Sequence, residues 1–308
     1  MNLVYFGSGA FGLPTLERLA AEHRVALVVT QPDRPAGRHR QLAPTPVGQY
    51  AADRGMPMIK TPQVNDAEII ERLQGAAPEA MIVIAFGQKL GPTLLDDIFA
   101  VNLHASLLPK YRGAAPINWA MINGESETGV SVITLSQRID AGDVLGHSAT
   151  RIDPMETAEE LEQRLAEMGP SLMLETLALH EADQLQHHPQ DDAAATRAPR
   201  LSKSDGTVRF DQPARAVQGR VHGLIPWPGC TVELNGTPLK LSRVAVVDND
   251  APSAPPGRIL DDHTVSCAAG RVRLLAVQPP GGRTMSFEAF LRGHPAPTGT
   301  GIEPHEVQ

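Results

Sequence analysis

Cysteine is scarce in this chain. Cys230 and Cys267 are the only two among 308 residues. Neither has a Cys-x-x-Cys partner, so cysteine spacing spells out no zinc site, and no metal is expected. They are read as two idle thiols of a reducing compartment rather than a disulfide framework. Long apolar runs are also missing. None approaches the roughly 20 residues that a membrane helix needs. No basic segment followed by an apolar one opens the chain, so a secretory signal is not expected. The expectation is a soluble, cytoplasmic protein without a membrane partner. Positive charge is in deficit too, at a net of −8. Residues 1–199 hold 15 Lys and Arg against 25 Asp and Glu, and residues 200–308 hold 12 against 10. An acidic total argues against indiscriminate nucleic-acid binding, but it leaves room for a local basic patch. Apolar residues make up 42% of the chain, enough for a substantial core. The length suits one large domain or two ordinary ones.

Periodicity supplies the organisation. Residues 2–6 read as a buried strand, followed by a Gly-rich turn and a helix near 12–21. Val25 to Thr30 reads as a strand, Pro46 to Gly55 as a helix and Pro57 to Ile59 as a short strand. Ala67 to Leu73 reads as a helix, Met81 to Ala85 as an apolar strand and Pro92 to Ile98 as a short helix. The strand carrying Asn102 and His104 comes next. Such alternation predicts an α/β domain with a parallel sheet covered on both faces. Residues 116–122 fit a helix with Pro in its first turn, and residues 156–180 a long helix that Gly169-Pro170 would kink or split. The composition then changes. Residues 184–206 read as a polar linker between a domain at 1–183 and a second at 207–308. In the second, strands are predicted at Val208–Phe210, Thr231–Leu234, Leu239–Val247, Gly257–Leu260, Thr264–Cys267 and Val272–Val277. Turns such as Asn235-Gly236 separate them, as in a small β-barrel or sandwich.

Gly7-Ser8-Gly9-Ala10-Phe11-Gly12 spells G-x-G-x-x-G between a strand and a helix. The dinucleotide fingerprint also wants an acidic residue at the end of the second strand. That strand ends Val28-Val29-Thr30-Gln31, and Asp33 comes too late, in a Pro-rich loop. The segment is therefore read as a tight strand-to-helix turn. The alternative is a backbone cradle for a polar part of a substrate.

Residues 102–116 carry the chemistry. Asn102 and His104 alternate with Val101 and Leu103, so an amide and an imidazole share one face of a strand end. A turn with Pro109 and Gly113 follows. Downstream, Asp140 sits in the loop Asp140-Ala141-Gly142-Asp143. Asn, His and Asp from two strand ends make a site for moving an acyl group.

The ordered set Asn102-x-His104-x-Ser106-Leu107-Leu108-Pro109 with Asp140 resembles the folate-dependent formyltransferases. Gln31 to Arg38, Arg112 to Pro116, Leu201-Ser202-Lys203, Trp227-Pro228-Gly229 and Gln278 to Gly293 are similar to the methionyl-tRNA branch of that family. Lys110-Tyr111-Arg112 and Ile117-Asn118-Trp119 lean instead toward the amino-sugar branch. The resemblance implies a Rossmann-like formyltransferase domain followed by an OB-like barrel that binds tRNA. It implies 10-formyltetrahydrofolate as formyl donor and the α-amino group of methionyl initiator tRNA as acceptor, in translation initiation, by a monomer. Asn102, His104 and Asp140 would be catalytic. Phe86, Gly87, Gln88, Ser106, Leu107, Leu108 and Pro109 would hold the folate. Arg34, Arg38 and Arg40 would meet the acceptor end, with Lys203, Arg209, Arg215 and Arg220 as further contacts. An amide donor suits an oxyanion. An imidazole exchanges protons near neutrality, and Asp140 would fix its tautomer. The rivals are a formyltransferase acting on an amino-sugar nucleotide and a 10-formyltetrahydrofolate hydrolase.

Overall fold

A period of two in the first strand sets the frame. β1 (Asn2–Gly7) is buried along nearly its whole length. Val4 and Phe6 join one apolar cluster, while Leu3 and Tyr5 are buried on the other face. The structure is a computed structural model that describes residues 1–36, 41–249 and 254–305.

Contacts divide the chain into two units. The first is Met1–Gly113, Gly129–Ala149 and Glu162–Arg197, and the second is Ala114–Thr128, Thr150–Leu161 and Ala198–Gln308. The sequence places the boundaries at 183 and 207, and the contacts divide the chain differently. The interleaving has a local cause within the second unit. Helix α5 (Pro116–Ile122) packs on α7 (Ala214–Gly223) through bare glycine backbone. A Cβ at Gly219 would stand 2.4 Å from the Met121 carbonyl oxygen, and one at Gly223 3.0 Å from that of Asn118. Asn118 also donates to the Gly223 carbonyl at 2.7 Å.

The strands of the large sheet are β1, β2 (Arg24–Thr30), β5 (Met58–Lys60), β6 (Ala80–Ile84), β7 (Phe99–His104), β9 (Glu127–Thr134) and β10 (Val144–Arg151). A hairpin of β3 (Arg34–Ala36) and β4 (Gln41–Ala43) follows β2, and β8 (Arg112–Gly113) pairs with β11 (Arg197–Ala198). Sheet order is β10-β9-β7-β6-β1-β2-β5. The helices connecting these strands are α1 (Leu13–Glu22), α2 (Pro46–Asp53), α3 (Ala67–Gly75) and α4 (Pro92–Leu95). Pro46 stands in the first turn of α2, and the Thr45 hydroxyl caps it by accepting the Gly48 N–H at 2.9 Å. The neighbouring pairs from β5 to β7 are parallel, but β7 pairs antiparallel with β9. The expected parallel sheet is present from β5 to β7, and the antiparallel β9 at its edge makes it mixed. An apolar run fixes burial but not strand direction.

Helix α6 (Ala158–Glu181) runs unbroken through Gly169-Pro170, so the helix is not split there. A Cβ at Gly169 would lie 2.5 Å from Leu103 Cδ2 and 2.9 Å from Thr15 Oγ1. Close seating on β7 and α1 outweighs the local penalty of the proline.

The second unit carries an antiparallel sheet of order β14-β15-β13-β12-β17, with β16 paired to β15. These strands are β12 (Cys230–Leu234), β13 (Thr237–Asp248), β14 (Thr264–Ser266), β15 (Arg271–Gln278), β16 (Met285–Ser286) and β17 (Ile302–Pro304). Asn235 (φ +50°) and Gly236 (φ +74°) make the tight β12–β13 turn, the role their residue types predict. Register breaks at three places along the β13–β15 pairing curl the sheet into a half-barrel. Of the six predicted strands, Val208–Phe210 and Gly257–Leu260 do not form. An isolated bridge at Thr207 borders the first segment, and isolated bridges at Arg258 and Ile259 lie in the second. Helix α7 was not anticipated, and α8 (Phe287–Gly293) follows β16. Cys230 and Cys267 are free and buried, and burial pushes both thiols up to about 12. His222 is 1% exposed; its Nδ1–H donates to the Pro154 carbonyl at 3.1 Å and its Nε2 accepts the Val244 N–H at 3.1 Å. Burial drags its pKa down to about 4. Among the described residues, no helix is long and apolar enough to cross a membrane.

Candidate active site

The chain leaves β1 toward β2 and β5 on one side, then returns to build β6 and β7 on the other. The strand order reverses between β1 and β6, and open α/β sheets take ligands beyond the strand ends at such a point. The glycines there serve the fold. Cβ atoms at Gly7 and Gly12 would meet the Tyr5 ring at 2.6 Å and its hydroxyl at 2.1 Å. The N–H groups of Ser8 and Gly9 both donate to the Ala85 carbonyl, at 3.2 and 3.3 Å.

Asn102 and His104 continue the row begun by Ala100, which belongs to the apolar cluster under α3 and α4. Asn102 is half-buried; His104 is 6% exposed. The His104 Nε2 lies 2.9 Å from the Tyr111 carbonyl oxygen. Its Nδ1 lies 3.7 Å from Asp140 Oδ2, beyond hydrogen-bond length. The bond that sets the tautomer thus runs to Tyr111, whereas the sequence reading gave that task to Asp140. Asp140 Oδ2 instead accepts the Gly113 N–H at 2.9 Å.

Asp140 does not sit at the same strand end as His104. Because β9 is antiparallel, its last residue pairs with Val101. The loop 135–143 must then fold back across the sheet face to bring Asp140 beside the imidazole. Three non-glycine residues in these loops are left-handed: Ala85 (φ +48°), Tyr111 (φ +62°) and Asp140 (φ +52°). For a bulky tyrosine this conformation is an outlier that surrounding structure must hold in place.

The residues expected around a folate divide into two groups. Phe86 is buried, edge-on to Phe6 at 5.5 Å. Gln88 accepts the Val64 N–H and donates to the Thr61 carbonyl, both at 2.8 Å. The Ser106 hydroxyl donates to the Lys110 carbonyl at 2.7 Å, and Leu108 is buried with its N–H on Ser131 Oγ at 3.2 Å. These four shape the loops from within. Gly87 (φ +82°) is exposed, with the Gln31 amide 3.8 Å from where a Cβ would stand. Leu107 and Pro109 are partly exposed. Bare backbone beside an apolar turn fits a flat heterocycle with several donors and acceptors.

Arg34 is exposed on β3, with its Nη2 3.3 Å from Gln31 Oε1. Arg38 and Arg40 lie outside the described residues. In the second unit, Lys203, Arg209 and Arg215 are exposed, while Arg220 donates to the Asp205 carbonyl at 2.8 Å and so ties a turn. The sequence reading missed Tyr111 and Gly113, which act through backbone atoms and leave no side-chain signature.

Two family models match: "Formyl transferase" over residues 1–177 and "Formyl transferase, C-terminal domain" over residues 200–295. The chain is 43% identical over 307 residues to a methionyl-tRNA formyltransferase of Heliobacterium modesticaldum, covering 95% of this chain and 97% of that one. It is 40% identical to the enzyme of the same name from Moorella thermoacetica, covering 96% and 97%. Among solved structures, a methionyl-tRNA formyltransferase from Clostridium thermocellum superposes with a TM-score of 0.56 at 15% identity, over 80% of this chain and 93% of that one. HypX from Aquifex aeolicus in complex with tetrahydrofolic acid superposes at 0.61 and 17% identity, over 94% of this chain and 46% of that one.

Proposed function

Because the chain belongs to the formyl transferase family, we infer that it moves the formyl group of 10-formyltetrahydrofolate to the α-amino group of methionyl-tRNA. The initiator form of that tRNA, a single-chain enzyme and a cytoplasmic setting belong to the same reading. The observation that carries the chemistry is the pairing of Asn102 and His104 on one strand face, with Asp140 at 3.7 Å from the ring.

The free amine attacks the formyl carbon, and the carbonyl oxygen becomes an oxyanion. The Asn102 amide offers two N–H donors at that point, and no side-chain bond within the described residues engages them. With Nε2–H committed to Tyr111, the lone pair of His104 sits on Nδ1. That edge takes the proton the amine sheds. The imidazolium so formed is stabilised by the Asp140 carboxylate, and it returns the proton to the folate nitrogen as the carbon–nitrogen bond breaks. Proton and formyl group both balance, and the side chains end as they began.

The test is formyl transfer from 10-formyltetrahydrofolate to methionylated initiator tRNA, with an amino-sugar nucleotide and water as competing acceptors. Formyl-methionyl-tRNA should form with the wild type. With His104→Ala, kcat should fall by about 10²- to 10⁴-fold. Product on the sugar or on water would overturn the acceptor, and an active His104→Ala would overturn the mechanism.

A further inference from the structure

The segment after α6 reads in sequence as a linker, yet it reaches both groups that flank the His104 ring. The Gln190 amide nitrogen donates to the carbonyls of Asp140 (2.9 Å) and Gly142 (2.7 Å). Its oxygen accepts the Arg112 Nε–H at 2.9 Å. Both donors and the acceptor of one half-buried side chain are therefore spent on the two loops that meet at the site. Thr196 completes the tie. Its hydroxyl accepts the Tyr111 N–H at 2.8 Å, and its carbonyl accepts the Arg112 N–H at 2.9 Å. Asp192 adds an outer clasp, 2.9 Å from Arg112 Nη1 and 2.7 Å from Arg138 Nη1. A backbone bridge between His188 and Val144 anchors the start of the segment.

We propose that residues 188–196 are a strap that positions the catalytic loops, and that Gln190 is the positioning residue for Asp140. The inference rests on the reading of His104 and Asp140 given above. Asp140 is held left-handed, a conformation that is disfavoured for a non-glycine residue and needs outside support. Gln190 gives that support at the Asp140 carbonyl itself. A pinned carbonyl fixes the peptide plane, and that plane fixes where the carboxylate points. Without it, the loop 135–143 can relax from its fold-back over the sheet, and the gap to Nδ1 widens. Arg112 shares in this, because Gln190, 78 residues further along the chain, couples its loop to the loop of Asp140.

Four full-length variants test this with both substrates: His104→Ala, Gln190→Ala, Gln190→Glu and Asp192→Ala. Gln190→Ala should lower kcat on the order of 10²-fold, the scale of a displacement of about 1 Å at a catalytic group. Both KM values should stay within about threefold, and the thermal midpoint should shift by only a few degrees. Gln190→Glu keeps an acceptor for Arg112 but sets carboxylate oxygen against two carbonyls, so it should be no better than Gln190→Ala. Asp192→Ala breaks the exposed pair with Arg138 and one bond of the part-buried Arg112, whose Nε–H stays on Gln190, and should lose less than about threefold. The split between a lowered kcat and unchanged KM values is a readout that plain destabilisation would not give. If His104→Ala is inactive while Gln190→Ala matches the wild type in kcat, the strap proposal alone is wrong. If His104→Ala is active, the catalytic reading fails first. Equal loss in Gln190→Ala and Asp192→Ala, with matching drops in stability, would mark the segment as structural only.

Discussion

Gly12→Ala separates packing from ligand binding in the Gly-rich turn. Gly12 has φ −84° and ψ −9°, which alanine adopts freely, so the backbone itself carries no penalty. The obstacle is Tyr5. A Cβ would stand 2.1 Å from its hydroxyl and 3.2 Å from Ile84 Cβ and Cγ2. Tyr5 is fully buried and its hydroxyl donates to the Gly12 carbonyl at 2.9 Å, so the ring has nowhere to retreat. Overpacking of this kind costs about 1–3 kcal/mol. Tyr5→Phe alone costs about 1 kcal/mol, for one buried hydrogen bond. It also removes the clashing atom. In the Tyr5→Phe background, Gly12→Ala should be near neutral, since alanine narrows the unfolded ensemble by about 0.4–1 kcal/mol. The coupling between the two changes is then about 2 kcal/mol, with the double variant more stable than the sum of the singles predicts. Thermal and urea melts of the four proteins measure it, alongside formyl transfer. The double variant should recover stability and activity together. Additive losses would refute the steric account. Recovered stability with a lost KM for folate would instead place the substrate against this turn.

His222 sets an acid limit on the second unit. Its pKa is about 4 in the folded chain and about 6.5 in an unfolded one, so the unfolded state binds the extra proton between those values. Stability should be flat above about pH 6.5 and fall by about 3 kcal/mol on the way to pH 4; His222→Gln should remove that slope in pH-dependent urea melts. Cys230 and Cys267, raised to about 12 by burial, should resist a thiol reagent at pH 8 in the native protein and react on denaturation, so rapid native labelling would contradict their burial. Arg34→Ala should raise KM for methionyl-tRNA, leave KM for folate unchanged and reduce the salt slope of tRNA binding by about one; an unchanged slope would remove Arg34 from phosphate contact.

Much of the fold was legible because burial leaves a periodic trace. The apolar runs of β1, β6 and β7 identified central strands, Pro46 marked the start of α2, and Asn235-Gly236 marked a hairpin. The Asn102–His104 pairing was legible for the same reason, as spacing on a strand fixes the shared face. Strand direction was not legible, because Val130 to Thr134 is equally apolar whichever way it runs. Nor was α7, whose partner in packing is α5, about a hundred residues earlier in the chain. The strap was opaque for a further reason. Gln190, Asp192 and Thr196 look like any polar linker, and their bonds go largely to backbone atoms that every residue possesses.

The fold-back of the 135–143 loop also has a consequence for the order of assembly. Bonds that fix the site join residues 50 and 85 positions apart, from Gln190 to Asp140 and from Tyr111 to Thr196. Closing such long loops costs chain entropy before any contact rewards it. The parallel core from β1 to β6 can condense first, on the apolar surfaces of Phe6, Val83 and their neighbours. The constellation around His104 is then the last part to form and the first to open. In rising urea, transferase activity should vanish while the far-ultraviolet helix signal is still intact, and on refolding it should return after that signal does.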